Sequence, residues 1–73
     1  MKTAEECLNE IDGLMLLLKA NIREARRNLE GSASRLLLNA LMIRDDAVKI
    51  ESLARLVECM AIDKAKEDDK KPA

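Results

Sequence analysis

The chain of 73 residues contains no phenylalanine, tyrosine, tryptophan or histidine. Without aromatic rings it has no platform on which single-stranded nucleic acid could stack and no cage for a cation. Without histidine it lacks the commonest general base near neutral pH and the commonest nitrogen ligand for metals. Its two glycines, Gly13 and Gly31, are too far apart for a phosphate-cradling loop. Two cysteines, Cys7 and Cys59, lie near opposite ends and form no metal-binding pair; they are expected to be free thiols in a reducing compartment. No enzyme activity, cofactor or metal is therefore expected. The net charge of −1 gives no global pull toward nucleic acid or membrane. No apolar run approaches the ~20 residues of a transmembrane helix, and the acidic start carries no signal-peptide core, so a cytoplasmic location is expected.

What remains is aliphatic and charged residues in a regular order. Ala4, Leu8, Ile11, Met15, Leu18, Ile22, Ala25 and Leu29 recur with alternating steps of four and three. Ala33, Leu36, Ala40, Ile43, Ala47, Ile50, Ala54, Val57 and Ala61 continue the rhythm, with alanine throughout one phase. Such spacing predicts two amphipathic helices packed along a heptad seam. A reversal near Gly31 would set Ala25 by Leu36, Ile22 by Ala40, Met15 by Ala47 and Leu8 by Ala54, large against small. The fold class is all-α: an antiparallel two-helix hairpin, completed by self-dimerisation or by a partner chain.

Thr3 and Glu6 match a capping box, which starts helix one at about residue 4, and it should run to about residue 30. Acidic residues crowd its first turns and basic ones its last, as the helix dipole favours. Gly13 costs about 1 kcal/mol in helix propensity and either bends the helix or admits a close neighbour. Gly31 is expected to close helix one in a left-handed conformation, and Ser32 or Ser34 to cap helix two. Helix two should span about 33–66, leaving 67–73 as a disordered charged tail.

Apolar residues also lie off the expected seam. Leu38, Leu41, Met42, Val48, Leu56 and Ile62 on helix two, with Cys59, and Leu16 and Leu17 on helix one, where Cys7 and Leu14 flank the seam, form a candidate partner-binding surface. Soluble monomers seldom leave such a patch in water. It is either a docking face for another protein or the core of a self-associated four-helix bundle. Lys19, Arg23, Arg26, Arg27 and Arg35 make a basic cluster toward the tip, which admits RNA binding as a more distant alternative. Asp45 and Asp46 read as exposed charges, since adjacent helical residues diverge.

The run Ile22-Arg23-Glu24-Ala25-Arg26-Arg27-Asn28-Leu29-Glu30, followed by Gly31 and a long aliphatic helix, resembles the end of the first helix in the small co-chaperones of type III secretion needle subunits, the EscE, SsaE and YscE type. The resemblance covers roughly residues 8–62 and rests on Ile22, Ala25, Leu29 and Gly31. Several relatives carry a tyrosine early in helix two, where this chain has Arg35-Leu36-Leu37-Leu38. It implies a bacterial cytoplasmic co-chaperone that holds a needle subunit together with a second chaperone built of helical repeats. The alternatives are a homodimeric four-helix scaffold and a small RNA-binding regulator.

Overall fold

A computed structural model describes residues 2–70, and within them the chain is two helices, α1 (Ala4–Arg27) and α2 (Ala33–Lys70). Thr3 caps α1 as its sequence requires: its hydroxyl accepts the Glu6 amide at 3.1 Å while the Glu6 carboxylate accepts the Thr3 amide at 3.3 Å. Ser32 caps α2 by accepting the Arg35 amide on its hydroxyl at 3.3 Å and the Leu36 amide on its carbonyl at 3.0 Å. The helices pack side by side as an antiparallel hairpin. A body 63 Å long and only 15 Å in its thinnest direction results.

Two ends differ from expectation. α1 stops at Arg27 rather than near 30, because Asn28 adopts φ −93°, ψ 2° and its side chain leaves the helix to donate to Asn39 Oδ1 at 2.9 Å. The reversal over 28–32 then proceeds by short-range bonds such as Gly31 N–H to Asn28 O, and neither glycine takes a positive φ. Gly31 is thus not the left-handed stop that its sequence position suggested. α2 runs on through Lys70, so 67–70 are helical rather than tail, and 71–73 lie outside the described residues. Charged i,i+4 pairs support the long helix, Lys49 with Asp45 at 3.1 Å and Arg55 with Glu51 at 2.8 Å, each contributing a few tenths of a kcal/mol.

The seam is the larger correction. Ala4, Ile11, Leu18 and Ala25 face α2, and Leu36, Ile43, Ile50 and Val57 face α1, all partly buried as expected. The other phase is shifted by one residue on both helices. Cys7, Leu14, Asn21 and Asn28 take the places expected for Leu8, Met15, Ile22 and Leu29, while Asn39, Asp46, Leu53 and Met60 replace Ala40, Ala47, Ala54 and Ala61. Each helix is rotated, and the alanine stripe is exposed. The register also slips. Asn21 Nδ2 donates to Asp46 Oδ2 at 2.9 Å and Asn28 pairs with Asn39, two rungs one heptad apart. One heptad farther from the tip the same register sets Leu14 by Leu53, and the next sets Cys7 by Met60.

The physical reason lies in those polar rungs and in the turn. Asn28 meets a residue well inside α2, so the first turn and more of α2 stands past the end of α1, and the reversal is not symmetric about Gly31. A phase that carries Asn21, Asn28, Asn39 and Asp46 satisfies all four side chains in pairs, and no buried side-chain polar atom among the described residues lacks a partner. Asp46, expected to be exposed, is only 7% accessible.

Removing the acceptor alone should hurt more than removing the whole rung. Asp46→Ala leaves the Asn21 amide without its partner and is expected to cost about 1–3 kcal/mol, whereas Asn21→Leu with Asp46→Leu should equal or exceed wild-type stability. Urea unfolding midpoints at low protein concentration check both; a double variant weaker than the single one would contradict the rung's geometry.

Candidate protein-binding site

The hairpin exposes its seam on both flanks, because two helices touch along a line and nothing covers either side. On one flank α1 contributes Glu10, Gly13, Leu14 and Leu17, and α2 contributes Val48, Lys49, Ser52 and Leu53, around a groove of about 580 Å³. Leu14 and Leu53 form its floor, the latter buried. Leu17 and Val48 form its walls and are more than half exposed. Gly13 explains part of the width. A Cβ there would meet nothing within 4 Å, so this glycine admits no close neighbour of its own chain; it leaves room.

Charge sits at the rim of the groove rather than on its floor. Glu10 and Lys49 line it from opposite helices. The Glu10 carboxylate also binds the Lys2 ammonium at 2.5 Å, and that hydrogen bond holds the Lys2 pKa above its ordinary value. An apolar floor between one acidic and one basic edge suits the apolar stripe of an incoming amphipathic helix.

The eight sequence-predicted residues, Leu16, Leu17, Leu38, Leu41, Met42, Val48, Leu56 and Ile62, are all exposed. They do not make one patch. Leu17 and Val48 meet at the groove, and Met42 and Leu56 follow that flank of α2 at heptad spacing from Lys49. Leu41 and Ile62 continue from Val48 along α2 at multiples of seven residues, Leu38 lies toward the tip, and Leu16 points away from the groove on the outer side of α1. Leu14 of the groove floor was legible as an apolar residue beside the seam; sequence reasoning missed Leu53 and the polar rungs. The signal was present in the spacing of Asn21 with Asn28 and of Asn39 with Asp46, each one heptad apart.

Near the tip, Lys19, Ile22, Arg23, Arg26 and Arg27 line a second concavity of about 580 Å³ on α1 itself. Arg27 pairs with Glu24 at 3.2 Å. Among the described residues no group of three or more histidine, cysteine, aspartate or glutamate side chains is placed to hold a metal, and no helix is long and apolar enough to cross a membrane. Comparison of the chain with protein-family models, with curated proteins and with solved structures finds no match.

Both cysteines are free, but their environments differ: Cys7 is fully buried in the seam and Cys59 is exposed. A thiol reagent applied to the native protein should modify Cys59 promptly and Cys7 at least about tenfold more slowly, since Cys7 must wait for an opening of the first turns of α1. Mass spectrometry of timed reactions reads this, and equal rates would contradict the observed seam.

Proposed function

We propose that this hairpin is a protein-binding module whose groove takes a helix of another protein, and that it serves as a cytoplasmic co-chaperone of a secretion-system needle subunit together with a second, helical-repeat chaperone. The observation that supports the binding role is the groove between Leu14, Leu17, Val48 and Leu53, an apolar cleft with charged rims on a chain that buries little else. The choice of partner rests on the resemblance of residues 22–31 to the needle co-chaperones. A helix laid into this groove would complete a three-helix layer and bury the flank that the hairpin leaves wet.

Leu17→Glu with Val48→Glu tests the reading, because both side chains are exposed and neither supports the seam. The double variant should keep wild-type helicity by circular dichroism yet lose co-purification with a needle subunit and its helical-repeat chaperone, as an unpaired charge pressed into an apolar contact is costly. Recovery of both partners at wild-type yield by the variant would remove the groove from the proposal. Recovery of neither by the wild type would remove the needle co-chaperone assignment. RNA retained by the wild type and lost with Arg23, Arg26 and Arg27 neutralised would favour the regulator alternative.

A further inference from the structure

The flank opposite the groove carries a pattern that neither the hairpin nor the groove uses. There Leu8, Met15 and Ile22 form a stripe on α1, with Leu29 following in the turn, and Ala33, Ala40, Ala47, Ala54 and Ala61 form a parallel stripe on α2. In an antiparallel pair these two stripes lie on the same side of the seam, so together they make one continuous apolar face. We propose that this face is the interface of a homodimer, a four-helix bundle in which two copies lie antiparallel with their tips at opposite ends.

Three observations commit the face to a second copy. The first is area. The chain exposes 6101 Å², against about 4,500 Å² for a compact monomer of its mass. That excess is well above the ~800 Å² each partner buries in a standard stable interface. The second is the core. Among the described residues Cys7 and Leu53 are the buried apolar side chains, while Ile11, Leu18, Ile43 and Ile50 stay partly open toward this face and would be covered by a second layer.

The third is charge, and it also sets the orientation. One helical turn outside each apolar stripe runs a charged stripe. On α1 it reads Glu5 and Asp12 toward the open end and Lys19 and Arg26 toward the tip; on α2 it reads Glu58 toward the open end, Glu51 at mid-helix and Arg44 toward the tip, between Leu37 and Ala65. The helix dipole accounts for this order on α1 but opposes it on α2, where the base comes first and the acids last. Glu51 pairs with Arg55 of its own helix; the other six have no ion pair among the described residues. A two-fold axis perpendicular to the helices lays the acidic end of one copy over the basic tip of the other. It also sets α2 on α2 through alanine, where the axes can approach closest, and α1 on α1 through the larger side chains. Tips at the same end would stack like charges.

The inference stands on a different flank from the proposed groove and does not depend on it. Sedimentation equilibrium of the full chain at about 100 µM should give twice the 8.2 kDa monomer mass, and raising salt from about 50 to 500 mM should weaken the dimer several-fold. Lys19→Glu, Arg26→Glu and Arg44→Glu combined should be monomeric alone, as should Glu5→Lys, Asp12→Lys, Glu51→Lys and Glu58→Lys combined. Mixing the two should restore a dimer mass. Because these side chains are exposed, the hairpin should survive; circular dichroism confirms it, and Met15→Glu with Ala47→Glu gives a second route to the monomer. The groove variant Leu17→Glu with Val48→Glu should remain dimeric. A monomeric wild type, a dimer unaffected by the face variants, a dimer lost with the groove variant, or a dimer strengthened by salt would each overturn the proposal.

Discussion

Everything in this structure follows from the fact that two helices meet along a line. A pair of cylinders has one seam and no second layer, so even seam residues such as Ile11, Leu18, Ile43 and Ile50 stay partly exposed, and among the described apolar residues only Cys7 and Leu53 are buried. A chain this short buries a modest fraction of its surface in any fold, and an elongated hairpin buries less. Hydrophobic burial must nevertheless offset roughly 1–2 kcal/mol of backbone entropy for each ordered residue. The apolar flanks are therefore a direct consequence of the architecture, and they are where function has to be sought.

Polar rungs supply what the thin core lacks. Asn21 with Asp46 and Asn28 with Asn39 occupy seam positions that leucine would fill more stably. A mismatched register would leave these groups without their partners, which is how a polar residue at a coiled-coil seam selects one alignment at a cost in stability. The rungs sit toward the tip and the apolar layers toward the open end, so the two tasks are divided along the molecule: the tip fixes alignment, and Leu14 with Leu53 and Cys7 with Met60 supply cohesion.

The two flanks then differ in character because the residues beside the seam differ. One has Gly13 and Ser52 opposite each other, small residues that open a groove over Leu14 and Leu53. The other has alanine along α2 and large aliphatics along α1, a broad face bordered by charge sorted by sign. One hairpin can therefore offer two surfaces of different shape, a cleft and a face.

Much of the fold is legible in the residues themselves. Alternating steps of three and four dictate two helices, Thr3 with Glu6 dictates where the first begins, and the polar residues around Gly31 dictate a reversal, because each is a local preference that neighbours alone satisfy. The rotation and register of the helices are not local. Leu8 with Ala54 and Cys7 with Met60 describe seams of equal periodicity, one residue out of phase, and composition favours the more apolar one. Only the tertiary structure decides between them, since the bonds of Asn21 to Asp46 and of Asn28 to Asn39 exist when both helices are aligned at once and have no counterpart in either helix alone. That choice turned the most regular apolar stripes of the sequence from core into surface.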